Sequence, residues 1–435
     1  MSVDASPSCQ GEKIILLQKP PAARWWVIVM GILAYGHFFM TMQLISSMTT
    51  TVMEDLDITV TECTWLLTAT KIGFAVFTLF GGPLGTKLGS RRTITLGLIL
   101  NSVFNLLFPW GAAAYEGAFI LCLLQGFGGG LISGSAISAT CRWFPARSRG
   151  LATGIFTGMV GSMFTIASVC CPILVSIGLS WQQTVAVMGG IPAAVLAVVY
   201  FATVKDFGET YPGYASVDDI LPESVSMPEK TAAHKRMKIR EGRKPDSMGE
   251  FFRSARVWMA GMLIFITGWM QLGLGSLFPQ LLLFDYALPD DRVASITGLA
   301  FLGMMVGCPL GGIISDRVFD GVRYPMLIIG AIFTGAMFLL IPHTPVSLMA
   351  LVLFLTYGGN ASICGPFWSV PSELVTGKMA VMASAFCSTM GTVGGLAASL
   401  FMTITAAAAG TYLVPVYICA ALAFAGVIPA LIIRR

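Results

Sequence analysis

Lys71 is the one clear formal charge inside a long apolar run, in Thr70-Lys71-Ile72-Gly73-Phe74. A charge at the centre of a helix in lipid costs about 2.5–3.5 kcal/mol on insertion scales, so it usually faces a functional cavity. The ammonium could pair with the carboxylate of a bound solute, because the apolar runs hold no Asp or Glu to neutralise it. The competing reading is a lysine that snorkels to the interface or bonds helix carbonyls. His37, in Tyr35-Gly36-His37-Phe38, could donate to an anion, carry a proton, or be satisfied by a neighbouring helix. Thr41 lies one turn further on the same face. Gln271 and Asn360 offer neutral amides that could bind a carboxylate or hydroxyl, or equally bridge two helices. Gln125 reads as structural, and the many Phe and Met as packing or lipid contact.

An embedded enzyme would need paired acids, a nucleophile with its base, or a His/Asp metal set, and the apolar runs hold none. His37, His234 and His343 are far apart, and no CxxC pair or Cys/His cluster has zinc spacing. Most of the ten cysteines, among them Cys122, Cys170, Cys171, Cys308 and Cys364, sit in apolar runs as small hydrophobes. No phosphate-binding loop supports ATP-driven work. No metal ion, cofactor or nucleic-acid partner is implied.

The elements that must position these residues follow from composition. Of the 435 residues 55% are hydrophobic and 11% charged, against about a quarter charged in a soluble domain. A mean hydropathy of +0.79 places the chain in a lipid bilayer. Apolar runs of spanning length fall at 25–52, 63–85, 93–112, 117–141, 149–176, 182–203, 256–284, 293–315, 324–342, 346–371, 379–405 and 411–433. Backbone polar groups in lipid need internal partners, and runs this long without strict alternation are helices rather than barrel strands. The expected fold class is an all-α membrane protein of twelve transmembrane helices.

Lys and Arg set the orientation. The N-terminal tail, the 85–92 and 142–149 turns, the 204–255 loop, Arg317, Arg323, Lys378 and Arg434-Arg435 fall on one side. The opposite turns carry Glu54, Asp55, Asp57, Glu62, Glu116, Asp285, Asp290 and Asp291, with Arg292 as their one base. Both termini are expected in the cytoplasm of a multi-pass plasma-membrane protein, with 1–24 as a tail and no cleavable signal peptide. Residues 204–255 read as a solvated cytoplasmic linker. Its basic run, Lys235, Arg236, Lys238, Arg240, Arg243 and Lys244, could instead bind lipid or a partner. The linker separates two six-helix halves, 25–203 and 256–435, that repeat with an offset of roughly 230 residues. By that offset Gly82 maps to Gly312, Gly128-Gly129 to Gly358-Gly359, Gly161 to Gly391, and Thr41 to Gln271.

The turn Gly82-Pro83-Leu84-Gly85-Thr86-Lys87-Leu88-Gly89-Ser90-Arg91-Arg92 resembles the loop signature G-x-L-x-D-R-x-G-R-R of the major facilitator superfamily, which recurs as Gly312-Ile313-Ile314-Ser315-Asp316-Arg317. The resemblance covers the chain from the first span to the last. It implies two pseudo-symmetric six-helix halves around a central site. It also implies a gating role for Gly82, Lys87, Arg91, Arg92, Asp316 and Arg317, whose acid and bases could latch a neighbouring helix end. Thr86 stands where the family has Asp, which weakens the first latch. Trp143-Phe144-Pro145 with Arg149-Gly150, and Gly365-Pro366-Phe367-Trp368, are similar to segments of the anion:cation symporters and oxalate/formate-type exchangers, and imply organic anions as substrates. The span-4 Arg of many proton-coupled relatives is here Cys122, and Met159 follows Gly158 where drug antiporters carry Pro.

The expected activity is secondary transport of a small organic anion, chiefly a carboxylate, as proton symport or anion exchange, with Lys71, His37, Thr41, Gln271 and Asn360 as candidate binding residues. A bilayer and a small-molecule substrate are the expected partners, and a monomer suffices. Rivals are an exporter of amphipathic compounds and a transport-like receptor, for which the linker is short.

Overall fold

The computed structural model describes residues 17–222, 225, 244–288, 290–376 and 379–434. Its long helices in the first half are α1 (Ala23–Leu44), α2 (Val60–Leu88), α3 (Ser90–Leu106), α4 (Tyr115–Trp143), α5 (Arg149–Gly158, continued by Val160–Ser176) and α6 (Trp181–Val185, a π turn at Ala186–Gly190, then Ile191–Thr203). In the second half they are α7 (Ala255–Gln280), α8 (Asp290–Arg317), α9 (Tyr324–Leu340), α10 (Val346–Phe367), α11 (Ala380–Ala409) and α12 (Leu413–Ala425, continued by Val427–Arg434). Among the described residues there is no strand.

Eleven of these segments are long and apolar enough to cross a membrane, and α3 is the exception. It has 17 residues, opens on Arg91-Arg92, and buries Asn101, Ser102 and Asn105. Its polar face is turned into the protein rather than to lipid, which lowers its hydropathy without removing it from the bundle. The lipid-facing surface is apolar, with Phe80, Ile177, Val198, Val318 and Ile404 all more than 60% exposed. Exposed Trp25, Trp26 and Trp258 lie near one end of the bundle, and Trp65 and Trp110 near the other, as in an interfacial aromatic belt.

Glycine fixes how close the helices come. In the first half Gly73 of α2 meets Leu123 and Gly126 of α4, and Gly81 meets Gly130. In the second, Gly303, Gly307 and Gly311 of α8 meet Phe354, Gly358 and Ser362 of α10. Any side chain at these positions would strike backbone, so each half is built on one such tightly packed pair. The two pairs correspond at the offset read from the sequence.

One end of the bundle carries the basic 85–92 and 142–149 turns, and the halves close on each other there. Along the α5–α8 seam a side chain at Gly312 would collide with the Gly150 carbonyl, and a Cβ at Gly154 would lie 2.5 Å from Cys308 O. Further from the basic end a Cβ at Gly158 would lie 3.1 Å from Pro309 Cδ, and one at Gly161 3.6 Å from Phe301 O. The seam therefore widens toward the acidic end. On the α2–α11 seam, Gly85 packs on Val381 and Gly82 on Ala385 and Met382.

The described part of the linker is docked rather than solvated. Phe207, Val217, Ile220, Leu221 and Phe251 are buried, and Trp143 packs edge-on against Phe207 at 5.3 Å. Asp218 accepts the Ala146 N–H at 3.0 Å and pairs with Arg149 at 2.6 Å. On the other half the Thr376 N–H donates to Pro245 O at 3.2 Å. The expected basic patch at Lys235, Arg236, Lys238, Arg240 and Arg243, with Lys13, Lys378 and Arg435, lies outside the described residues, and Lys244 is exposed.

Candidate functional site

Midway along the bundle a cavity with about 690 Å³ of space between atoms, open mouth included, lies between the halves. On the first-half side it is faced by Tyr35 and Phe39 of α1, Phe74 of α2, and Thr157 and Phe164 of α5. Across it stand Gln271 of α7, Met304 of α8, Trp368 just beyond α10, and Ser388 and Thr392 of α11. Tyr35, Phe39 and Met42 recur at i, i+4 and i+7, one face of α1. Phe39 is the hub of the aromatic wall: its ring centroid lies 4.9 Å from Tyr35, 5.9 Å from Phe74 and 5.8 Å from Phe164, each pair edge-to-face.

Of the five residues the sequence singles out for binding, only Gln271 lines this cavity. Its Nε2 donates to Met304 Sδ at 3.1 Å, and its carbonyl accepts the Tyr357 hydroxyl at 2.6 Å. Lys71 stands one turn from Phe74 on the face of α2 that packs on α11, where Gly85 meets Val381, Gly82 meets Ala385, and Ala75 O accepts from Thr389. Helical stride sets Lys71 one turn beyond Phe74 toward the acidic end, and it is not itself among the residues that line the cavity. It is partly exposed and has no ion pair or hydrogen bond among the described residues.

The remaining three lie on other faces. His37 is buried with neither ring nitrogen bonded by strict geometry. It faces the Met188 backbone of the α6 π turn, opposite the Tyr35–Phe39 face of its own helix. Thr41 donates to Phe38 O at 2.7 Å, and its carbonyl faces Gln125 Nε2 at 3.5 Å. Gln125 also donates to Asn105 Oδ1 at 2.8 Å and accepts from Thr70 at 3.2 Å. This network belongs to the core of the first half. Asn360 donates to Thr267 O at 3.3 Å and so ties α10 to α7. These placements follow from helical periodicity, which two well-separated polar residues on one span do not reveal.

The two copies of the loop are bonded unequally at the basic end. Asp316, at the end of α8, accepts the Leu151 N–H at 2.7 Å and so caps the N-terminus of α5 across the seam. Helix N-termini favour a carboxylate. Asp316 also pairs with Arg323, whose Nη2 donates to Ala146 O at 3.0 Å and whose Nε reaches Glu373 Oε1 at 3.4 Å. Burial works against the Arg323 cation, but Glu373 and Asp316 outweigh it and hold its pKa above the ordinary value. A Cβ at Gly150 would lie 2.7 Å from Asp316 Oδ1, which accounts for glycine after Arg149.

The first copy of the loop is wired differently. Arg91 donates from its backbone to Asp206 at 2.9 Å and from its guanidinium to Glu209 at 3.1 Å, both at the start of the linker, and neither bond reaches the second half. Lys87, Arg92 and Arg317 are exposed without a bonding partner among the described residues. Gly82 does cross between halves, as packing rather than charge. The sequence reading missed Arg323 and Glu373; the cue was Arg323 seven residues after Asp316, across a tight turn. It also missed the aromatic wall, for which helical spacing of Tyr35, Phe39 and Met42 was the available signal.

Comparison with known proteins adds what geometry does not give. Residues 28–399 match the Major Facilitator Superfamily. The chain is 21% identical over 343 residues to the hexuronate transporter of Bacillus subtilis (strain 168), covering 74% of each. It is 23% identical over 416 residues to a probable sulfoacetate transporter of Cupriavidus necator, covering 88% of this chain and 87% of that one. The solved structure of the proton:xylose symporter XylE bound to 6-bromo-6-deoxy-D-glucose superposes with a TM-score of 0.75 at 15% identity, over 94% of this chain and 95% of that one. The twelve-helix, two-half architecture is thus that of known transporters and not of an enzyme, and the chain belongs to the major facilitator superfamily, with anion transporters among its relatives.

Proposed function

We propose that the chain is a secondary carrier that moves a small organic anion, chiefly a carboxylate, across the plasma membrane by alternating access. The observation that carries the reading is a partly exposed, unpaired lysine one helical turn from Phe74, which lines the cavity between the halves. Lys71 is the counter-ion, and Gln271 supplies a neutral hydrogen bond. The names of the relatives, which include transporters of hexuronate and sulfoacetate, point to the same charge. The basic end is the cytoplasmic one by charge asymmetry, so the closed seam is an inner gate and the cavity faces outward. Exchange of anions is favoured over proton symport, because the cavity lining has no carboxylate and His37 faces away from it.

The aromatic lining favours one second reading, an exporter of amphipathic compounds, for which charge would be incidental. Equilibrium binding to purified protein separates the two. A carboxylate is expected to bind more tightly than its matched amide, and Lys71→Gln should weaken it by about 1–3 kcal/mol, roughly a 5- to 150-fold rise in Kd. Equal binding of acid and amide would overturn the anion reading.

A further inference from the structure

We infer that the bound anion carries a flat ring: the geometry points to an aromatic carboxylate rather than a short aliphatic acid or a sugar acid. This rests on the carboxylate reading above and goes beyond it to the body of the substrate. The first observation is the wall formed by Tyr35, Phe39, Phe74 and Phe164, with Phe39 at its centre and partly exposed to the cavity. Edge-to-face clusters of this kind accept a further ring in the same manner. Opposite, Gly268 and Gly391 flatten the lining where α7 and α11 touch, because neither carries a side chain into the space. An aromatic wall facing a glycine-flattened one makes a slot, and Trp368 stands at its basic end.

The second observation is the placement of the free hydrogen-bonding groups. Thr157 donates to Thr153 O at 2.8 Å and Thr392 to Ser388 O at 2.9 Å, so both hydroxyl protons are engaged within their own helices. Gln271 gives one amide N–H to the Met304 sulfur, which leaves its second N–H for a ligand. Ser388 Oγ is buried, lines the cavity and has no partner, and the Tyr35 hydroxyl and the Trp368 indole N–H line it with no hydrogen bond among the described residues. A buried hydroxyl without a partner is costly, and a single substrate oxygen satisfies it. A hexuronate would turn some of its hydroxyls onto the Phe39, Phe74 and Phe164 rings, which offer them no hydrogen-bond partner. Lys71 lies three residues, about 4.5 Å of helix rise, beyond Phe74 toward the acidic end. A ring in the slot therefore presents its carboxylate to Lys71 and an edge substituent or second oxygen to Ser388.

The test is equilibrium binding of phenylacetate, acetate, D-glucuronate and phenylacetamide to the purified full chain. Phenylacetate is expected to bind at least about tenfold more tightly than acetate or glucuronate. Phe39→Ala should remove most of that advantage while changing acetate binding less than about twofold. Phe39→Leu, which keeps apolar volume without the ring, replaces it where the alanine variant does not fold. Glucuronate or acetate binding as tightly as phenylacetate, still weakened by Lys71→Gln, would overturn the ring inference and leave the anion reading standing. Phenylacetamide binding as tightly as phenylacetate would overturn both.

Discussion

Asn360 and Lys71 are each polar residues in an apolar helix, yet their surroundings give them different roles. Asn360 is buried and donates across to the α7 backbone; Lys71 is partly exposed one turn from the cavity-lining Phe74, with no partner among the described residues. Asn360→Ala should lower stability by about 0.6 kcal/mol, the usual worth of an interhelical hydrogen bond in a membrane, and leave carboxylate affinity unchanged. A loss of affinity at equal folding, read by titration of the purified variant, would return Asn360 to the site. Lys71→Arg should retain part of the binding, since the charge survives while the headgroup becomes planar and forked. That Lys71 is a charge without a partner was legible in the sequence, because the apolar runs hold no acid to neutralise it. That His37, Thr41 and Asn360 face elsewhere was not, because each helix has several neighbours and a single sequence does not say which face meets which.

At the scale of helices, length and hydropathy placed most spans to within a few residues, such as α2 at Val60–Leu88 and α11 at Ala380–Ala409, but ran past the ends of α1 at Leu44 and α3 at Leu106. They failed to show that α3 hides Asn101 and Asn105 inside the bundle or that the linker folds back through Asp218, because burial of a polar group depends on a partner distant in sequence. The loop motif identified Asp316, and Arg323 emerges as its partner with both side chains under 10% exposed. Replacing Asp316 by Asn keeps a hydrogen-bond acceptor for Leu151 but removes the charge. It should slow transport more than it weakens binding, because a latch is lost rather than a ligand. Arg323→Leu should be worse, costing about 3–5 kcal/mol of stability, since it strands a buried carboxylate. A thermal-unfolding comparison in which Arg323→Leu is no less stable than Asp316→Asn would contradict the buried pairing.

The α5–α8 seam carries its own prediction. Gly154 lies against the Cys308 backbone with no room for a side chain. Gly154→Leu should wedge the basic end open and raise thiol labelling of a cysteine introduced at Leu151, read in inside-out vesicles. Unchanged labelling would mean that the seam is not where the halves part.

The whole molecule combines two similar halves that close on each other unequally at the basic end. The α2–α11 seam closes by glycine packing at Gly82 and Gly85, and the α5–α8 seam by the Asp316–Arg323 network and the α5 N-terminus. Thr86, the departure from the family's loop signature, sits exposed and bonded only to Pro83 O at 2.7 Å, so the first seam has no carboxylate to lose. Closure at one end with a widening seam toward the other is one state of a carrier in which the halves rock about a central site. Counterflow in proteoliposomes tests that claim most directly. Vesicles loaded with unlabelled carboxylate should take up external labelled carboxylate with no imposed ion gradient, and Lys71→Gln should abolish most of that uptake. Uptake that requires an inward proton gradient and ignores internal anion would contradict exchange, and uptake equal in wild type and Lys71→Gln would contradict the central role given to Lys71.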